Sequence, residues 1–156
     1  MNKFIPVVVT IFLALVIGRF FFGPKEIFIK HNCLLQQKGE CTIEKEGVSL
    51  NFKVSPLPIN PTKDLRYSLK VKGMEPTGAF VNILGHSMEM LSRTGEQRDQ
   101  QNFALKKFLK GNEFSATRIF PLCTEKIMIW KLLLQVKGEN KTVKTAFTLE
   151  VKKRNQ

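Results

Sequence analysis

The chain opens with a continuous apolar stretch and then changes to alternating apolar and polar positions. Residues 4–18 carry no charge, Arg19 interrupts them, and three phenylalanines continue the stretch to Gly23. As an α-helix, the 20 residues from 4 to 23 would be about 30 Å long, which matches the hydrocarbon core of a bilayer. Arg19 lies near one end, where its long side chain can reach the interface. The pattern predicts one transmembrane helix within residues 1–23.

A cleaved signal peptide and a buried core helix are the alternatives for this segment. A signal peptide ends in small residues of the A-x-A type. Here the apolar run is followed by Arg19 and three phenylalanines, and no cysteine follows directly for lipid attachment. We therefore expect a retained anchor rather than a cleaved signal.

The remainder of the chain, residues 24–156, has the period-two pattern of β-strands. In residues 48–54 the apolar side chains fall at every second position, and the other segments repeat this alternation or are short apolar runs. Strands are predicted at 48–54, 65–71, 79–84, 103–109, 113–120, 127–136 and 142–151. Gly111 and Asn112 would form the turn of a hairpin between the fourth and fifth of these strands.

These strands predict an all-β domain. About seven strands at regular spacing are typical of an antiparallel, immunoglobulin-like sandwich. Roughly 130 residues are enough to bury about two-thirds of their unfolded surface in one core. The segment 127–136 is long and apolar, so we expect it to be a central strand with Trp130 in the core.

Three cysteines indicate the compartment but do not determine their own pairing. Cys33 and Cys41 enclose seven residues, a loop that a disulfide can close. Such a bond requires Cα atoms roughly 4.4–6.8 Å apart. Cys123 is left over as a free thiol, unless it pairs with one of the other two or all three are simply buried. Disulfides persist in oxidising compartments, so this pattern favours placing the domain outside the inner membrane.

A histidine and two methionines recur at alternate positions after the third predicted strand. His86, Met88 and Met90 would therefore share one face, and thioether and imidazole ligands together select Cu(I). Cys123 or Met128 could add a further soft ligand. The competing interpretation is that the methionines fill the core.

The order of these features resembles the FixH/YtkA-like proteins, small membrane-anchored periplasmic β-sandwich proteins. The matching positions run from about residue 33 to the end of the chain: Cys33, Cys41, the stretch 54–59, Gly85, Met88, Met90, Cys123, Met128 and Trp130. Leu91 departs from the pattern, because a glycine commonly follows the second methionine in such proteins. The resemblance implies copper handling or assembly of a respiratory oxidase.

The charge and the inventory of reactive residues exclude several functions. The net charge is +12, and about +10 remains on residues 24–156, which suits a solvated surface or attraction to anionic partners. Its basic residues are spread along the strands without a nucleic-acid motif, so we expect no nucleic acid as partner. The chain has two histidines and two aspartates, and no H-E-x-x-H, G-x-S-x-G or phosphate-binding glycine loop. We therefore expect no enzyme.

Together these features predict a single-pass inner-membrane protein whose C-terminal domain lies in the periplasm. Its predicted role is that of a non-catalytic binding or assembly factor with a protein partner in the membrane or periplasm, and with Cu(I) as the candidate ion. Positive charges flank the apolar segment on both sides, so the orientation follows from the cysteines alone. The alternatives are a structural accessory subunit of a larger membrane complex and a thiol-dependent redox protein that uses Cys123.

Overall fold

The computed structural model describes residues 12–13, 24–60, 63–85, 101–108, 111–120 and 127–152. In these ranges the chain is all-β, apart from residues 12–13, which are helical, and one short helix. The elements are β1 (Lys25–Ile29), α1 (Leu35–Lys38), β2 (Glu40–Lys45), β3 (Val48–Ser55), β4 (Asp64–Lys72), β5 (Pro76–Gly85), β6 (Gln101–Lys107), β7 (Glu113–Ile119), β8 (Ile127–Gly138) and β9 (Lys141–Lys152).

The nine described strands belong to one curled sheet in the order β1-β9-β8-β5-β6-β7-β4-β3-β2. All neighbours are antiparallel except β1 and β9, which run parallel from Lys25 opposite Lys141. The two edge strands approach each other, because Lys45 Nζ of β2 donates a hydrogen bond to the Phe28 carbonyl of β1 at 2.9 Å. The sheet is therefore nearly closed into a barrel.

The core lies inside this curled sheet and is built from the apolar set of each alternating strand. Phe52 of β3 and Phe147 of β9 are both fully buried, and their rings stack with centroids 5.1 Å apart. Trp130 of β8 is 1% exposed and meets Phe120 edge to face at 5.3 Å. Burial of such large side chains contributes about 1.5–3 kcal/mol each. The prediction that Trp130 is a core residue is confirmed.

The seven predicted strands are all present, and the all-β class is confirmed. The structure adds β1, β2 and α1, which the alternation did not indicate. β1 has only five residues, of which Ile27 and Ile29 alone point into the core. β2 is equally weak as a pattern, since Cys41 and Ile43 are its only buried residues. Nine strands therefore replace the expected seven.

The turns after β2, β4, β6 and β8 gather at one end of the barrel, which we call the turn end. It comprises residues 46–47, 73–75, 111–112 and 139–140. Gly73 has φ +78°, and a Cβ there would lie 1.8 Å from the Gly47 carbonyl oxygen. Only glycine allows the two turns to come this close. Asn112 Nδ2 donates to the Met74 carbonyl at 3.3 Å, which joins a third turn to them.

The predicted anchor, residues 4–23, falls outside the described residues except for 12 and 13. No helix in the described ranges combines the length and the apolar character that crossing a membrane requires.

Candidate functional site

The predicted soft-metal ligands lie outside the described residues. This applies to His86, Met88, Met90 and Cys123, and also to the side chain of Met128. Within the ranges that the structure does describe, no three His, Cys, Asp or Glu side chains converge in a way that could hold a metal ion.

The predicted ligands belong to two segments, one that begins at His86 and one that contains Cys123. The described residues that come just before these segments lie beside Trp130. Gly85, directly before His86, is the register partner of Trp130. A Cβ at position 85 would lie 3.6 Å from the Trp130 ring. Phe120, three residues before Cys123, packs on the edge of the same ring. β5 and β7 therefore end beside the same tryptophan, at the end of the barrel opposite the turn end.

The predicted disulfide between Cys33 and Cys41 is confirmed. The two Cα atoms are 6.0 Å apart, within the range that such a bond requires. The bond joins the segment before α1 to β2, and Cys41 is only 1% exposed. It closes the short loop that carries α1 and holds this loop against the barrel, where the Glu150 N–H donates to Gln36 Oε1 at 2.6 Å.

His31 packs beside this disulfide, where burial favours the neutral form of its ring. Its ring lies 4.6 Å from the ring of Phe147, centroid to centroid, and its Nδ1 accepts a hydrogen bond from the Cys33 N–H at 3.1 Å. Burial lowers the pKa of His31 below its usual 6.5, although contact with the Ala146 backbone opposes part of this shift. An Nδ1 that accepts a hydrogen bond is consistent with a neutral ring.

An open groove of about 460 Å³ lies on the outer face of β1, β9, β8, β5 and β6. One row of register partners crosses it from strand to strand: Phe28, Lys144, Gln135 and Phe80. Phe28 and Phe80 stand three strand spacings apart, about 14 Å. The two aromatic rings therefore border a polar floor made by Lys144 and Gln135.

The adjoining row adds amide groups to this floor. Asn82 pairs in register with Leu133 on one side and with Asn102 on the other, and all three line the groove. Asn82 Oδ1 is buried and has no hydrogen-bond partner within the part of the chain that the structure describes. A buried acceptor without a donor is unfavourable by about 1–3 kcal/mol, which a ligand N–H or O–H would offset.

Two lysines give the groove its charge. Lys144 Nζ forms an ion pair with Glu26 at 2.7 Å. Lys137 Nζ lies 5.1 Å from the centroid of the Phe80 ring, a cation–π contact. No carboxylate of the described residues pairs with Lys137. Its ammonium group is therefore available to an anionic group of a ligand.

The groove was not predicted from the sequence, although β8 contains a signal for it. Inward-facing Leu132, Leu134 and Val136 alternate with outward-facing positions that are themselves partly apolar. Among these, Ile129 is 39% exposed and Leu133 is half-buried. A strand that is apolar on both faces is covered on both faces in many proteins. In the ranges that the structure describes, no element packs on the outer face of this strand, which makes that face a candidate binding surface.

Compared with protein-family models, curated proteins and solved structures, the chain gives no match.

Proposed function

We propose that this protein is a membrane-anchored, non-catalytic binding or assembly factor whose domain lies in the periplasm. The outer-face groove carries the proposal, because it combines aromatic rings, amides and an ammonium group that forms no ion pair with the described residues. Such groups bind and orient a ligand. The Cys33–Cys41 disulfide supports an oxidising compartment, and the apolar segment 4–23 supports the anchor.

The groove fits a segment of a partner protein that carries both apolar side chains and a carboxylate. Phe28, which is 49% exposed, and Phe80 offer apolar surface at the two sides. Lys137 supplies the charge for a carboxylate, and Asn82 offers an acceptor for a backbone N–H of the partner. The backbone groups of these strands are already paired within the sheet, so side chains of the groove, a few polar groups among apolar surface, would hold the partner segment.

Site-specific photo-crosslinking in cells tests this site. A photo-reactive residue at Asn102, on the exposed side of the groove, should give one discrete adduct in the membrane fraction. The same residue at Thr117, exposed on the outer face of β7, should give none. Lys137→Glu should abolish the adduct, because it removes the attraction for a carboxylate and adds repulsion.

The matched control is Lys53→Glu, which makes the same change of charge at an exposed position of β3, a strand that does not line the groove. It should leave the adduct unchanged. Equal adducts from Asn102 and Thr117, or equal losses from the two charge reversals, would show that the groove does not bind the partner.

Copper binding is a second candidate. It is supported by the meeting of Gly85 and Phe120 at Trp130, since the predicted ligand segments adjoin these two residues. The resemblance to FixH/YtkA-like proteins supports it as well. Trp130 is the only tryptophan of the chain, so Cu(I) at this end should quench the intrinsic fluorescence.

Titration with Cu(I) against a competing chelator tests this candidate. The double variant Met88→Ala, Met90→Ala should lose both the affinity and the quenching. Equal Cu(I) affinity in the wild type and in the double variant would eliminate the site.

We also propose that the curled sheet is organised as an immunoglobulin-like sandwich. Two groups of strands support this view, β1-β9-β8-β5-β6 and β6-β7-β4-β3-β2, with β6 shared between them. Among the residues that the structure describes, β6 is paired in register with β7 only at Lys106 and Lys107. Hydrogen exchange tests the arrangement, because amides of β7 beyond Ser115 that point towards β6 should exchange rapidly in a sandwich. Protection along the whole of β7 would indicate a closed barrel instead.

A further inference from the structure

The point at which the chain enters the barrel determines which surface faces the membrane. β1 begins at Lys25, and its backbone N–H donates to the Asn140 carbonyl at 3.0 Å, at the turn end. From that residue onward β1 is paired in register with β9. The Lys25 side chain also forms an ion pair with Glu46 at 2.8 Å, so backbone and side chain both fix the entry point to two of the four turns.

Only Pro24 separates this fixed point from the predicted anchor, residues 4–23. Two Cα–Cα steps span at most about 7.6 Å. The headgroup layer on each side of a bilayer is about 5–7 Å thick. Lys25 can therefore lie no farther from the hydrocarbon core than the outer boundary of the headgroups. The turn end, to which Lys25 is bound, must then lie at the membrane surface.

The four turns form one continuous surface around the entry point. Gly73 meets Gly47 closely, and Lys141 Nζ donates to the Gly73 carbonyl at 3.3 Å. Among the described residues, this surface carries or adjoins six lysines and four glutamates: Lys25, Lys45, Lys72, Lys107, Lys137 and Lys141, with Glu46, Glu75, Glu113 and Glu139. Its small positive excess suits the negative surface of a bilayer.

We propose that the turn end is a membrane-docking surface that rests on anionic phospholipid headgroups. This inference rests on the anchored topology proposed above. Docking of the turn end directs the opposite end of the barrel, where β5 and β7 end beside Trp130, away from the bilayer. The groove then lies on the side of the molecule, with its strands running away from the membrane surface.

Lysine labelling of the full chain in lipid nanodiscs tests the proposal. The discs contain phosphatidylcholine and phosphatidylglycerol at a ratio of about three to one, an anionic surface. The reagent is a water-soluble acetylating ester, and mass spectrometry gives the rate at each lysine. The turn-end lysines Lys45, Lys72 and Lys141 are compared with Lys38, Lys53 and Lys63. Lys53, for example, lies about 17 Å along β3 from the turn end.

The matched control is a variant with a flexible Gly/Ser linker of about 20 residues between Gly23 and Pro24, which spans about 25 Å on average. It releases the domain from the surface while keeping the same residues, internal contacts and lipid. We expect the turn-end lysines of the native chain to react several-fold more slowly than those of the linker variant. The comparison lysines should react equally in both.

Two results would overturn the proposal, and they are distinguishable. If the native chain elutes with the discs but its turn-end lysines react as fast as those of the linker variant, the docking surface is wrong and the anchor stands. If the native chain does not elute with the discs, the anchored topology fails, and the docking surface fails with it.

Discussion

Removal of the Cys33–Cys41 disulfide should lower the stability of the domain by an amount that follows from the loop it closes. The two cysteines are eight residues apart in sequence. In the chain-entropy model, closing a loop of this length lowers the entropy of the unfolded state and so raises its free energy by about 2.5 kcal/mol. Cys41 is buried, so its replacement by alanine also removes packing worth about 1 kcal/mol. The variant Cys33→Ala, Cys41→Ala should therefore lose about 3–4 kcal/mol in free energy of unfolding.

Chemical unfolding of the full chain in detergent micelles measures this loss. Trp130 is the sole tryptophan and is buried against Phe120, so its fluorescence reports on the core. Since about 1 kcal/mol shifts the melting temperature of a domain of this size by about 4 °C, the double variant should melt about 12–16 °C lower. Cys123→Ala is the control, because it removes a thiol and leaves the bond intact.

Two results would refute this reasoning. One is a double variant that unfolds within about 0.5 kcal/mol of the wild type, the range of an ordinary surface substitution. The other is the detection of three free thiols in the wild-type protein unfolded under non-reducing conditions, since the structure predicts one.

Two further predictions concern pH and the turn end. Because the pKa of His31 is lowered in the folded state, its contribution to stability is complete above its usual pKa of 6.5 and is lost as the pH falls through the lowered value. His31→Gln should therefore flatten the fall in the free energy of unfolding below pH 6.5, and identical slopes in the two proteins would contradict this. Gly73→Ala should lower the free energy of unfolding far more than Gly111→Ala, although both glycines have positive φ. A Cβ at position 73 would collide with the Gly47 carbonyl, whereas a Cβ at position 111 would meet open space. In chemical unfolding we expect the free energy of unfolding to fall by about 1 kcal/mol for Gly111→Ala and by at least twice that for Gly73→Ala. Equal losses would show that the turns of Gly47 and Gly73 do not touch.

The sequence was sufficient for those elements whose pattern is local. Strands such as β3 and β4 alternate over seven or more residues, and one face of each is buried, so their period is evident without any knowledge of the neighbours. The disulfide was predictable as a candidate because both cysteines lie in one short loop. Its pairing required the structure, since Cys123 offered two alternatives.

The elements that were missed depend on partners far away in the chain. β1 is a five-residue strand that is stabilised by parallel pairing with β9, more than 100 residues later. The groove likewise depends on register, because Phe28, Gln135 and Phe80 fall in one row only when the four strands β1, β9, β8 and β5 are aligned. No local pattern contains this information. The prediction of soft-metal ligands remains a prediction, since His86, Met88 and Met90 lie outside the described residues.

The most direct test of the account is the topology of the intact protein in the membrane. Both the groove as a periplasmic binding site and the docking of the turn end require an uncleaved anchor with the domain outside the inner membrane. In spheroplasts, added protease should degrade the domain, and in untreated membranes the full-length chain should remain after a carbonate wash. A soluble form that begins after Gly23, or a domain that protease reaches only after the membrane is broken, would contradict the account.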